Sequence, residues 1–148
     1  MDSTISKKYA FTILVITYNP IWEKLKLTLD AIVEQTFTDY ELLIADDGSE
    51  NNLADEIASY MENRKVDNFL HIKNSINQGT VKNIISGLEN CKGKYIKCFG
   101  PGDYFANNDS LELVYTYLEQ NSLDACWGLV KSYINTSNGE RQFIYRAH

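Results

Sequence analysis

Two short apolar runs, FTILVI at 11–16 and ELLIA at 41–45, each stop at a polar cluster and give way to a stretch of helical spacing. An unbroken aliphatic run of this length, without polar alternation, suits a strand buried on both faces. The first run ends at Thr17-Tyr18-Asn19-Pro20, a chain breaker, and the second at Asp46-Asp47-Gly48-Ser49. Between and after them, Trp22, Leu25, Leu29, Ile32 and Val33, then Leu53, Ile57 and Met61, fall at the intervals of a helix with one buried face.

The alternation continues. A third strand is expected at 69–72, a third helix on Val81, Ile84, Ile85 and Leu88, and a fourth strand at 94–99, where Tyr95, Ile96, Cys98 and Phe99 form its apolar body. Leu111, Val114, Tyr115 and Leu118 mark a fourth helix, with Asn107, Asn108 or Asp109 as its N-cap. A fifth strand is expected from Ala125 to Ile134, with Asn138-Gly139 turning a hairpin into QFIY. Strands alternating with helices predict an α/β fold of βαβ units: a mostly parallel central sheet flanked by helices, with right-handed crossovers. At 148 residues the chain is expected to be a single domain, 1–148, able to bury a substantial core.

Charge and cysteine use narrow the function. A formal charge of −6 and an isoelectric point near 4.9 argue against broad nucleic-acid binding. Three cysteines, Cys91, Cys98 and Cys126, form an odd set without metal-ligand spacing, which predicts free thiols in a reducing compartment. The opening MDSTISKKYA lacks the apolar stretch of a signal peptide, and no window reaches membrane-span length. The expected location is the cytoplasm. His71 lies within a strand and His148 is the last residue, so neither a His-based triad nor a zinc site is expected.

Parallel sheets bind ligands beyond the carboxyl ends of their strands, where the polar clusters of this chain fall. Asp46 and Asp47 read either as turn chemistry or as acceptors for a base or ribose hydroxyl. Thr17, Tyr18 and Asn19 offer hydrogen bonds and a ring that can stack. Gly79, Lys82 and Asn83 open the third helix, whose N-terminus favours anions, although a lysine there is more often a solvated surface residue. Asp103 closes Gly100-Pro101-Gly102-Asp103. It is either a turn residue or, because Mg2+ and Mn2+ need only one or two protein carboxylates when phosphates complete the shell, a metal ligand.

The ordered stretches FTILVITYNP, EQTFTDYELLIADDGSEN and NQGTVKNIISGLENCKGKYIKCFGPGD together resemble the family 2 glycosyltransferases of the GT-A fold. The resemblance runs from about Phe11 to Gly128. It implies that Thr17, Tyr18 and Asn19 line a nucleotide pocket and that Asp47, with Asp46 beside it, contacts the base. It also implies that Gly79, Lys82 and Asn83 lie close to the nucleotide, and that Asp103 is the last carboxylate of the Asp-x-Asp-type motif that holds Mg2+ or Mn2+. Two departures stand out: only the last carboxylate of that motif survives, and Ile16 replaces the proline common before Thr-Tyr-Asn.

The implied activity is inverting transfer of a sugar to an acceptor hydroxyl in polysaccharide or glycoconjugate synthesis. The donor is a nucleotide-diphospho-sugar, a UDP-sugar first, with GDP- and dTDP-sugars open. Members of the family continue into an acceptor-binding half that supplies the catalytic base, so the chain is expected to be the donor half, with the base beyond residue 148. Contact with the inner membrane face through acceptor or partners, and self-association, both stay open. Two alternatives remain: a catalytically silent nucleotide-sugar-binding module, and a receiver-like signalling domain, which should carry its acidic pair after strand one rather than strand two.

Overall fold

The computed structural model describes residues 8–128, 130–137 and 141–144. Its elements follow in the order β1 (Tyr9–Thr17), α1 (Trp22–Val33), β2 (Tyr40–Asp46), α2 (Ala54–Arg64), β3 (Phe69–Lys73), α3 (Thr80–Leu88), β4 (Gly93–Phe99) and α4 (Ser110–Gln120). Then come β5 (Ser132–Asn135) and β6 (Arg141–Ile144). β1 to β4 form an all-parallel sheet in the order β3-β2-β1-β4, and β5 and β6 form a separate antiparallel pair. A receiver-type sheet would place β1 between β2 and β3. Here β2 separates β1 from β3, which removes that alternative.

β1 is central and buried on both faces, which is why its sequence runs apolar without alternation. Phe11, Ile13 and Val15 face one side and join Leu25, Leu29 and Ile32 of α1, Ile57 and Met61 of α2, and Leu111 and Leu118 of α4 in the main core. Leu14, with Leu43 and Ala45 of β2, faces the other side and packs with Ile84 of α3 and Cys91. Each fully buried Leu or Ile contributes roughly 1.5–3 kcal/mol, so the β1–β2 ladder and its two covers carry much of the stability.

Three features depart from the sequence reading. β4 is buried on one face only: Tyr95 and Phe99 point into the core, while Ile96 is 44% exposed and Cys98 is exposed rather than packed as a small hydrophobe. As the last strand of the sheet it lacks the second cover that β1 and β2 enjoy. The fifth strand is described over Ser132–Asn135, because the described residues between Ala125 and Lys131 make no ladder, and Trp127 and Val130 stand in solvent. β5 and β6 are the two strands of the expected hairpin, whose Asn138-Gly139 tip lies outside the described residues.

The third departure concerns the start of α4. Asp109 is its N-cap by position, but its side chain makes no cap hydrogen bond. Gln35, just past α1, caps instead: its Oε1 accepts from Leu111 N at 2.9 Å while its Nε2 donates to Asn107 O at 2.9 Å.

Where β4 begins, Gly93 sits hard against β1. A Cβ there would lie 2.1 Å from Thr12 N and 2.3 Å from Phe11 C, both backbone atoms that cannot yield without moving β1. Gly93→Ala is therefore expected to lower the free energy of unfolding by about 1–3 kcal/mol, the usual cost of overpacking. Urea denaturation followed by circular dichroism measures it, and an unchanged midpoint would mean that β4 does not approach β1 this closely.

Candidate functional site

The strand order sets the position of the site. From β1 the chain steps outward through β2 to β3, and α3 then carries it back across to β4 on the other side of β1. The order reverses between β1 and β4, where parallel sheets open a crevice at their carboxyl ends. Register pairs Thr17 with Asp46, Asp46 with Lys73, and Val15 with Phe99. The segments after β1, β2 and β4 and the start of α3 therefore share one edge.

The two aspartates after β2 have different positions. Asp46 is wholly buried. Its Oδ1 accepts from Ser49 N at 2.8 Å, and its Oδ2 accepts from Ser49 Oγ at 2.5 Å and Thr17 Oγ1 at 3.1 Å. Ser49 Oγ in turn accepts from Asn19 N at 2.7 Å, and Asn19 Oδ1 accepts from Glu50 N at 3.3 Å. Asp46 thus braces the loop after β1 against the loop after β2. The brace holds Asn19 at φ 44°, a left-handed conformation that Asn tolerates better than most residues.

Asp47 reaches the opposite way, toward α3. Its Oδ1 accepts from Gln78 N at 2.9 Å and Asn74 Nδ2 at 3.0 Å, and its Oδ2 accepts from Gly79 N at 2.8 Å. Burial alone would raise its pKa, but these three hydrogen bonds outweigh it and hold the carboxyl below the usual carboxylate value. Asp47 is 3% exposed and sits at the positive end of α3, serving as that helix's cap from a distant strand. Gly48 makes this possible. At φ 74° it lets the backbone of Ile76 and Asn77 pass so close that a Cβ would meet Ile76 C at 2.4 Å.

A cleft of about 100 Å³ opens here, lined by Ile16, Thr17, Tyr18, Asp47, Thr80 and Asn83. It brings together Thr17, Tyr18, Asp47 and Asn83, while the buried Asp46 and the exposed Asn19 do not line it. Tyr18 is 53% exposed, its ring free to meet a ligand at the mouth. Asn83 is buried and donates through Nδ2 to Ala45 O at 2.9 Å, tying α3 to β2. Gly79, at φ 89°, is the N-cap residue of α3, and its amide is already committed to Asp47 and Asn77 Oδ1. Lys82 lies in the exposed first turn of α3 and makes no ion pair among the described residues.

Asp103 closes its own turn. Its Oδ2 accepts from Gly100 N at 3.0 Å and its backbone N donates to Gly100 O at 3.0 Å. Thr28 of α1 fixes the turn to the body, with its Oγ1 accepting from Gly102 N at 2.9 Å. The carboxylate is exposed, and its Oδ1 makes no hydrogen bond among the described residues. No cluster of three His, Cys, Asp or Glu side chains occurs among the described residues. One free carboxylate oxygen beside unhindered glycines is a donor set suited to a divalent ion whose other ligands come from phosphate and water.

A larger groove, about 550 Å³, lies between α1 and α2 on Trp22, Lys26, Asp30, Tyr60 and Arg64. Its polar groups serve one another: Tyr60 donates to Asp30 at 2.7 Å, and Lys26 and Arg64 pair with Asp30. It is set on the helical face rather than at the strand ends. The residues that sequence reasoning missed are Ser49, Asn74 and Thr28. Ser49 was signalled by its place in Asp-Asp-Gly-Ser, whereas nothing local marks the other two.

The family model for glycosyl transferase family 2 matches residues 12–145, so the chain belongs to that family. Relatives include the uncharacterized glycosyltransferase MG025 homolog of Mycoplasma pneumoniae, 32% identical over 103 residues, which are 68% of this chain and 34% of that protein. An uncharacterized glycosyltransferase of Rickettsia felis is 28% identical over 125 residues, 82% of this chain and 20% of that one. The matched part of the chain thus spans about a third or less of these relatives. Among solved structures, S. aureus TarS 1–349 in complex with UDP superposes with a TM-score of 0.65 at 22% identity, over 76% of this chain and 32% of that one. The mannosyltransferase PcManGT from Pyrobaculum calidifontis, in complex with GDP-Man and Mn2+, gives 0.68 at 17% identity, over 77% and 33%. The fold is GT-A.

Because Asp47 has a lowered folded-state pKa, its stabilising contribution is full above the ordinary carboxylate range, near pH 4, and is lost as pH falls through the folded value. Asp47→Asn is expected to cost about 1–3 kcal/mol at pH 7, the range for a buried charged hydrogen-bond acceptor. The gap between wild type and variant in urea melts should narrow as pH falls below 4. A gap that stays constant from pH 7 to pH 3 would mean that Asp47 is not held ionised by α3.

Proposed function

We propose that the cleft at the ends of β1 and β2 binds the nucleotide of a nucleotide-diphospho-sugar donor, and that the longer protein transfers the sugar to an acceptor hydroxyl. The observation that carries this reading is the convergence of Thr17, Tyr18, Asp47 and Asn83 on one cleft at the switch point of a GT-A sheet. The crystallised complexes of TarS with UDP and UDP-GlcNAc and of PcManGT with GDP-Man and Mn2+ support it at the level of donor class. A UDP-sugar is the first choice, and GDP- and dTDP-sugars are the alternatives.

Each residue has a physical task. Tyr18 stacks on the base. Asp47 accepts a hydrogen bond from the base's edge through the lone pair of Oδ2 that Gly79 leaves unused; a carboxylate offers about four such positions and Asp47 has filled three. Asp46 and Asn19 hold the walls. Lys82 supplies local positive charge to the diphosphate in a chain of formal charge −6. Asp103 would hold a Mg2+ or Mn2+ ion, whose chemistry when bound is to offset charge on the departing diphosphate.

In the transfer, the acceptor oxygen bonds to the anomeric carbon as the bond to the diphosphate oxygen breaks, inverting the centre. The hydroxyl proton needs a base. Asp47 is a poor one, since its hydrogen bonds keep its proton affinity low, and we propose that the base comes from an acceptor-binding part of the kind that family members carry. A silent binding module would share the cleft and lack the transfer, and a transfer assay on the longer protein separates the two.

Calorimetric titration of UDP, GDP and dTDP, with and without Mn2+, tests the donor site. One nucleotide is expected to bind with metal dependence, and Asp103→Ala to abolish that dependence while leaving the fold intact. Tyr18→Ala should weaken binding by about 1–3 kcal/mol, the range for loss of a base-stacking ring. A folded wild-type chain that binds none of the three would overturn the reading.

A further inference from the structure

We propose that Asn74, outside the cleft and matching no motif of the sequence, is a positioning residue that holds the two polar walls of the donor site, Asp47 and Asn83, at their working separation. The proposal rests on the nucleotide-binding reading above and extends it to a residue that does not line the cleft.

Asn74 is the first residue after β3. Its backbone N donates to Asp46 O at 2.8 Å, extending the β2–β3 contact by one step. Its side-chain Nδ2 donates twice, to Asp47 Oδ1 at 3.0 Å and to Asn83 Oδ1 at 3.3 Å. Asn83 then donates to Ala45 O on β2, and Asp47 accepts from the Gln78 and Gly79 amides at the head of α3. The bonds close a ring through β2, the end of β3 and the start of α3, with Asn74 as the link between the two cleft residues.

The chemistry at this position favours an amide. A primary amide nitrogen carries two donors, and here two acceptor oxygens use both. The same two oxygens fix the orientation of the amide, since a flip would face its carbonyl oxygen toward a carboxylate and another carbonyl. Serine would supply one donor. Aspartate would supply none when ionised, and would set a second carboxylate about 3 Å from Asp47, where two like charges cannot both ionise without cost. The other charged or titratable side chains on the elements that meet here are Tyr40, Glu41 and Asp46 on β2, His71 and Lys73 on β3, and Lys82 on α3.

The test compares wild type, Asn74→Asp and Asn74→Ser by calorimetric titration of UDP with Mn2+ between pH 5 and pH 8, with urea melts alongside. If another nucleotide proves to be the ligand, it replaces UDP. Asn74→Asp is expected to raise Kd about tenfold or more at pH 8 and to recover toward wild type at pH 5, as the carboxyl pair takes up a proton and regains a donor. Asn74→Ser should show a smaller loss without that pH dependence. Wild-type affinity of folded Asn74→Asp at every pH, or a loss independent of pH, would overturn the proposal.

A second readout needs no nucleotide. Carbon-detected NMR titration of the Asp47 carboxyl should show its midpoint moving up in Asn74→Asp. If the wild-type chain binds no nucleotide, the donor-site reading fails by itself. An unshifted Asp47 midpoint would then overturn the positioning role independently.

Discussion

Two neighbouring carboxylates at the end of β2 organise the working edge of this molecule, and they do so by accepting hydrogen bonds in opposite directions. Asp46 gathers Thr17 and Ser49, and through Ser49 the strained Asn19. Asp47 gathers Asn74, Gln78 and Gly79. Both side chains are buried, so each carboxyl oxygen needs partners to offset its loss of water. Those partners come from the end of β1 and from the loops after β2 and β3. The loops therefore depend on the carboxylates for their shape, and the carboxylates depend on the loops for their burial.

The sheet makes this arrangement possible. A parallel ladder between β1 and β2, covered on both faces, delivers Thr17 and Asp46 side by side. Gly48 then permits the backbone at Ile76 and Asn77 to come within reach of Asp47, an approach that any side chain would block. Strain at Asn19 and the close approach at Gly48 both fall in the loops next to the cleft, and irregular backbone of this kind tends to concentrate at functional sites. The body of the fold carries the stability, and the edge is shaped by a few charge-assisted hydrogen bonds.

Most of the fold was legible because its signals are local. Apolar runs without alternation announced β1 and β2, and 3.6-residue spacing announced the four helices. The strand order β3-β2-β1-β4 was not legible, because no local pattern says which strands are neighbours. The exposure of Cys98 was not legible, because burial of a strand face depends on whether a helix from elsewhere covers it. The expected strand from Ala125 was realised only from Ser132 for a similar reason: the earlier residues suit a strand, but among the described residues no neighbouring strand pairs with them. At the site, the residue types were visible and their partnerships were not. Asp47 meets Asn74, Gln78 and Gly79 across separations of 27, 31 and 32 residues, and nothing in a local window distinguishes it from Asp46.

That distinction bears on how an acidic chain could accept a diphosphate at all. The head of α3 is the natural anion site at this edge, yet Asp47 already occupies its Gly79 amide and offsets the positive end of the helix dipole. A diphosphate arriving there would meet a helix terminus that already faces one carboxylate. On the proposed reading, the positive charge it needs comes from Lys82 in the first turn of α3 and from a cation on Asp103, whose turn Thr28 anchors to α1. Asp103 contributes a single carboxylate, too little to hold a divalent ion firmly without phosphate oxygens. The proposed reading therefore makes metal and nucleotide interdependent: the ion supplies positive charge, the phosphates supply the missing ligand oxygens, and the protein supplies the fixed edge on which they meet.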